Sequence, residues 1–100
     1  MKMSYALVRH IKEGVDIIQV MSFYGINFRA QGNRDNYIGR CPWHNDRVAS
    51  LSVSRSKGLY HCFGCGESGN VFSLVIKMEK LTFSQAVERL AEIAGISLNQ

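Results

Sequence analysis

The chain lacks several things that would decide its class. No apolar run approaches the roughly 18 residues needed to span a bilayer, so no membrane partner is expected. Residues 1–9 lack the apolar stretch and small-residue cleavage site of a secretion signal, and a cytoplasmic location is expected. There is no internal repeat and no low-complexity segment. Its eight carboxylates are dispersed along 100 residues. No nucleophile–base pair and no phosphate-cradling glycine loop accompanies them, so the chain is not expected to be an enzyme on its own. Cysteine is scarce, with three in all, and proline rarer still, with one.

What cysteine there is carries the main signal. Cys41 and His44 are separated by two residues, as are Cys62 and Cys65, with seventeen residues between the two pairs. Tetrahedral zinc takes thiolate sulfur and imidazole nitrogen, and a tight turn lets two residues at such spacing reach one ion. Every cysteine falls into the two pairs, and burial of ordinary thiols gives no reason for that. Gly66 after the second pair and Asn45 after the first are residue types that tolerate a left-handed exit from a metal turn, while Pro42 stiffens the first. Four protein ligands close the coordination shell, so a single structural Zn²⁺ is expected rather than a catalytic one. The zinc deaminases share a C-x-x-C pair, but they require H-x-E upstream and a proline directly before the pair. Here His61 precedes Cys62 and the upstream analogue is His44-Asn45-Asp46.

One hundred residues with 46% hydrophobic and 20% charged side chains describe one small globular domain, residues 1–100, with a modest core helped by a metal. Thiols spaced as ligands fit a reducing compartment. The net charge of +4 is concentrated: residues 29–65 hold six bases against two acids, and five of the six are arginine. Arginine suits bidentate phosphate contacts and stacking on bases.

The coarse pattern is α+β, a zinc ribbon of small antiparallel strands flanked by N- and C-terminal helices. Helices are expected over about 5–24, first Tyr5 to Lys12 ended by Gly14. The second is capped by Asp16 and buries Ile17, Val20, Met21 and Tyr24. The ribbon is expected over about 37–66 as three strands: Tyr37 to Arg40, Ser50 to Ser54 with Leu51 and Val53 alternating with the serines, and Leu59 to Phe63. Helices over about 71–95 follow, capped by Asn70 and by Thr82 with Gln85 in a capping box, and ended by Gly95. Their expected buried stripes are Phe72, Val75 and Ile76, then Ala86, Leu90, Ile93 and Ala94. Strand alternation sets Leu59, His61 and Phe63 on one side of the third strand and Tyr60 and Cys62 on the other, without saying which side meets solvent. Aromatic residues beside cations on an antiparallel sheet suit single-stranded nucleic acid. The candidate contacts are Arg34, Arg40, Arg47, Arg55 and Lys57, with Tyr60 or His61 beneath a base.

The run Tyr60-His61-Cys62-Phe63-Gly64-Cys65-Gly66, with Glu67-Ser68-Gly69-Asn70 after it, resembles the second zinc knuckle of bacterial DNA primases. Gly39-Arg40-Cys41-Pro42-Trp43-His44-Asn45-Asp46 resembles the first, where the family usually has Phe in place of Trp43. Val15-Asp16-Ile17-Ile18 and Leu81-Thr82-Phe83 with Ala86 to Ala91 extend the likeness over nearly the whole chain. The resemblance implies a three-helix-plus-ribbon module that binds single-stranded template DNA and helps choose where primer RNA starts. It also implies a catalytic domain and a helicase-binding domain elsewhere, so a primase catalytic domain or replicative helicase is an expected partner. Three segments depart from the family pattern. Arg47-Val48-Ala49-Ser50-Leu51 stands where Lys-Thr-Pro-Ser-Phe is usual, which touches the expected local template contact. The loop Gly32 to Asn36 is one residue longer, and Val53 to Gly58 replaces a more acidic turn. These departures fit either a stand-alone zinc-finger protein of a mobile element or an excised primase domain. A ribbon that binds a helicase, polymerase or regulator in place of DNA is the alternative reading.

Overall fold

The computed structural model describes residues 4–32, 35–43 and 49–96. The order of elements is α1 (Tyr5–Gly14), α2 (Ile17–Phe23), β1 (Phe28–Ala30), β2 (Asn36–Gly39), β3 (Leu51–Ser54), β4 (Leu59–Cys62), β5 (Ser68–Gly69), α3 (Val71–Glu79) and α4 (Phe83–Ala94). The α+β class is as expected. The described residues hold four helices, one more than the resemblance implied.

Local chemistry explains where each helix begins. Ser4 accepts from the Leu7 amide, Asp16 from that of Ile18, and Asn70 from those of Phe72 and Ser73. Thr82 and Gln85 exchange bonds as a capping box, so an orphan donor at every helix start has a side-chain partner. Gly95, with φ of 71°, closes α4 in the left-handed region. The buried stripes are rotated from the expected ones: α3 buries Val71, Phe72, Leu74 and Val75, and α4 buries Ala86, Val87, Leu90 and Ala91. Ile76, Ile93 and Ala94 are only half-buried. Helix α3 packs on both α4 and the sheet edge, so two of its faces are covered and a single stripe under-describes it.

The sheet has five antiparallel strands in sequence order rather than three. The additions are β1, with Arg29 opposite Ile38, and β5, with Ser68 opposite His61 and Gly69 opposite Tyr60. A strand of two residues that are weak strand formers has no sequence signature, and the pairing with β4 creates it. Gly69 is required there, because a Cβ would stand 2.5 Å from the Ser73 Cβ and 3.1 Å from the Tyr60 hydroxyl.

Pairing fixes the two faces. Opposed residues share a face, so Tyr37, Val53 and Tyr60 form one row toward the helices, and Gly39, Leu51 and Cys62 form the next. Leu51, Val53, Tyr60 and Cys62 join Ile11, Val20, Met21, Leu74, Val87 and Leu90 in one continuous core. Leu51 is fully buried, so the position where the family usually has Phe is a core position and not a template contact. The outward row runs Arg29, Ile38, Ser52, His61, Ser68 across all five strands.

Candidate metal centre and nucleic-acid face

The hairpin β3–β4 brings the second cysteine pair to one end of the sheet. Past Cys62 the chain turns tightly, with the Gly66 amide donating to the Cys62 carbonyl at 2.8 Å and the Cys62 amide to the Glu67 carbonyl at 2.7 Å. Gly66 takes a φ of 80°, the left-handed exit that its position required. Cys41 follows β2 into the same corner. The three Sγ atoms lie within 4.8 Å of one another, and Cys41 Sγ is 3.7 Å from Cys65 Sγ. Tetrahedral zinc with bonds of about 2.3 Å to sulfur needs sulfurs about 3.8 Å apart, so the cluster has the right span. His44 lies outside the described residues, as do Arg34 and Arg47.

The electrostatics also fit a cation. Burial would push the Cys62 thiol up, but hydrogen bonds from the Ser50 hydroxyl and from the Cys65 and Gly64 amides more than offset it, bringing the thiol down to about 7. Burial pushes Cys41 up to about 12, against the Trp43 amide that donates to its sulfur at 3.5 Å. Donors aimed at sulfur await thiolate, yet three thiolates in one corner repel one another unless a divalent cation joins them. The donor set suits a structural zinc.

The first knuckle is tied to the second and to α3. Trp43 packs on Tyr60 at 5.3 Å between ring centres, and Lys77 of α3 holds its ammonium 5.1 Å from the Trp43 ring centre while pairing with Glu67. Lys77 therefore sits beside both knuckles and not on a remote helix.

The expected nucleic-acid residues separate into groups. His61 is exposed on the outward row, edge-on to Phe63 at 4.7 Å, and Phe63 is 74% exposed beside the metal corner. Arg40 is exposed and shares a cleft of about 720 Å³ with Arg29, Tyr24, Ile38 and Pro42. Tyr60 is corrected: it faces the helices and is 3% exposed, so its ring is not available to a base. Burial, then the charges of Glu67 and Cys41, push its hydroxyl up to about 12. Arg55 and Lys57 lie at the far turn of the β3–β4 hairpin, away from the cysteines. Arg55 is held there by Asp16 at 3.1 Å and by the Tyr37 hydroxyl at 3.3 Å. Sequence reasoning left Arg29 and Phe63 out of the candidate contacts. Arg29 belongs to a strand with no pattern of its own, whereas Phe63 was reachable, since it alternates in phase with His61.

Among the described residues no helix is long and apolar enough to cross a membrane. Comparison with known proteins agrees with the geometry. Residues 3–100 match the CHC2 zinc finger family. The chain is 41% identical over 92 residues to a DNA primase of Geobacillus stearothermophilus, covering 92% of this chain and 15% of that protein. It is 46% identical over 91 residues to a DNA primase of Streptomyces coelicolor, covering 91% of this chain and 14% of the relative. The fold superposes on the crystal structure of Aquifex aeolicus primase, which comprises zinc-binding and RNA polymerase domains. That match has a TM-score of 0.81 and 34% identity, over 97% of this chain and 23% of that one. With three clustered cysteines, a knuckle fold and this likeness along its length, the chain belongs to the CHC2 zinc finger family, the zinc-binding domain of DNA primase.

Proposed function

We propose that the chain is a zinc-dependent module that binds single-stranded template DNA and serves primer synthesis in replication, with a primase catalytic domain acting beside it. One Zn²⁺ is held by Cys41, His44, Cys62 and Cys65, and the metal fixes the corner from which Phe63 projects. The observation that carries the reading is the outward row of the sheet. It sets Arg29 and His61 on one solvent-facing surface, with Arg40 and Phe63 just past its cysteine end, where they follow the paired positions Gly39 and Cys62. Rings stack on bases irrespective of sequence while cations follow the phosphates. Arg34 and Arg47, from the same basic segment, are further candidate phosphate contacts. The family likeness supports the same reading, because the relatives that share this domain are DNA primases.

The test is binding of a short oligodeoxynucleotide over a series of salt concentrations. Affinity should fall linearly with salt on a logarithmic scale. Arg29→Ala and Arg40→Ala should each weaken all sequences alike and lower the slope by about one. Arg9→Ala, on α1, is the comparison. Equal losses for Arg9→Ala and Arg40→Ala would sink the assignment of the face.

A further inference from the structure

A second recess lies where α1, the β3–β4 turn and the first residues of α3 and α4 meet, at the hairpin end opposite the cysteines. Its volume is about 690 Å³, within the range that accepts a small ligand or a few side chains. Its floor is apolar and partly bare. Phe72 is buried at the floor, with the Phe83 ring 5.2 Å from it and still 45% exposed, and Tyr5 is 81% exposed at the rim. Tyr5 and Phe83 are the first residues of α1 and α4, where neither helix has a preceding turn to cover them. Two rings left in solvent around one recess are an unfilled apolar surface.

The charge on this recess has one sign in excess. Arg9, Lys12, Arg55 and Lys57 line it against Glu13 alone. Arg9 is paired with Glu13 at 3.3 Å and Arg55 with Asp16. Lys12 and Lys57 have no carboxylate at ion-pair distance among the described residues. Lys57 is also within the electrostatic reach of the Asp35 carboxylate, so Lys12 and, more weakly, Lys57 are the cations left to flank the apolar floor.

We propose that this recess docks a short acidic and apolar peptide segment of a protein partner. Its carboxylates meet Lys12 and Lys57, and its aliphatic or aromatic side chains lie between Tyr5 and Phe83 over Phe72. Complementary charge at the rim with an apolar anchor at the centre is the ordinary division of labour in peptide recognition. A nucleic-acid strand suits the recess less well. Half of its cations are already neutralised by carboxylates, and Glu13 stands in the wall that a phosphate backbone would have to follow. The site uses none of the residues assigned to the zinc or to the outward face, so it stands whether or not DNA binds there.

The test uses the zinc-loaded chain with ¹⁵N label and three probes. These are a blocked peptide of Asp alternating with Leu and Phe, the same peptide with Lys for Asp, and a short oligodeoxynucleotide. The acidic peptide should give saturable shifts at the amides of Tyr5, Val8, Lys12, Gly58, Val71 and Phe83, and the basic peptide none. Joint Lys12→Glu and Lys57→Glu substitution should weaken the acidic peptide by about tenfold or more. Tyr5→Ser, at an exposed position that does not carry the fold, should weaken it several-fold, and Phe63→Ala should leave it unchanged. Absent or scattered shifts, or shifts insensitive to charge reversal, overturn the proposal. So does an oligonucleotide that moves the same amides and displaces the peptide, which would reassign the recess to nucleic acid.

Discussion

The ammonium of Lys77 lies 5.1 Å from the centre of the Trp43 ring while its other contact is Glu67. One residue of α3 thereby holds the first knuckle by its aromatic ring and the second by its carboxylate. A cation over an indole contributes about 0.5–1 kcal/mol at an exposed site and more when desolvated. Lys77→Met keeps most of the apolar stem, so it removes mainly the charge. It should lower stability in denaturant by about 1 kcal/mol and shift the Trp43 fluorescence, with a smaller effect of Lys77→Met in a Trp43→Phe background. Equal losses in both backgrounds would show that Trp43 takes no part.

Metal removal should act on more than the ribbon. Leu51, Val53, Tyr60 and Cys62 share a continuous core with Ile11, Met21, Leu74 and Leu90, so melting the strands uncovers the helices. Structural zinc contributes on the order of 10–16 kcal/mol in small finger peptides, as much as a domain this size has in total. Chelation, or Cys62→Ser, should collapse strand amide dispersion and helical circular dichroism in one transition. Helices that stay folded while the strands melt would contradict the single core.

The cysteine cluster and the helix caps were legible in the sequence because each follows a local rule: closely spaced ligands at a turn, and a short polar side chain two or three residues before a free amide. Asp16, Asn70 and Thr82 cap helix starts in this way, and Gly95 ends α4 by the equally local left-handed turn. What the sequence could not show depends on pairing between distant segments. Strands β1 and β5 exist only because β2 and β4 offer them partners, so Arg29 had no visible place on the sheet. The alternation around Cys62 was readable, but the side that faces the helices was not. That is why Tyr60, an aromatic beside Cys62, stands with His61 as a residue expected under a base and yet lies in the core.

Tyr60 and Phe63 should consequently separate in mutagenesis. Phe63→Ala removes a ring that is 74% exposed, so stability should barely change while oligonucleotide affinity falls by about 1–3 kcal/mol. Tyr60→Ala should cost about 3–5 kcal/mol of stability through the cavity it leaves. Tyr60→Phe should bind DNA as the parent does. A binding loss for Tyr60→Phe equal to that for Phe63→Ala would return Tyr60 to the interface.

Acid should weaken the contact between α2, α3 and α4. Glu79 accepts from the Tyr24 hydroxyl and from Arg89 at 2.9 Å, and these bonds hold its carboxyl below the ordinary value of 4.5. A carboxyl depressed in the folded state stabilises the fold above its unfolded value, and that contribution is lost as pH falls through the folded value. Zinc release also occurs in acid, so the quantity to measure is the difference in melting temperature between the parent and Glu79→Gln. That difference should be largest near neutral pH and shrink below about 4.5. A difference independent of pH would mean that the Glu79 charge contributes nothing.

The chain should make no primer by itself. Templated nucleotide joining needs Mg²⁺ held by converging carboxylates, and here five of the eight carboxylates are paired with cations. Glu13 is paired with Arg9, Asp16 with Arg55, Glu67 with Lys77, and Glu79 and Glu92 with Arg89. Glu13 and Asp16, adjacent by sequence spacing, are divided between the end of α1 and the cap of α2. Among the described residues, the only group of three or more candidate metal ligands is the cysteine cluster. Incubation of the zinc-loaded chain with template, nucleotides and Mg²⁺ should yield no oligoribonucleotide. Adding a primase catalytic domain that lacks its own zinc module should restore template-dependent product, and Phe63→Ala or Arg40→Ala should lower that yield. Product from the isolated chain, abolished by Glu88→Gln with Glu92→Gln, would overturn the division between a template-reading module and a separate catalytic domain.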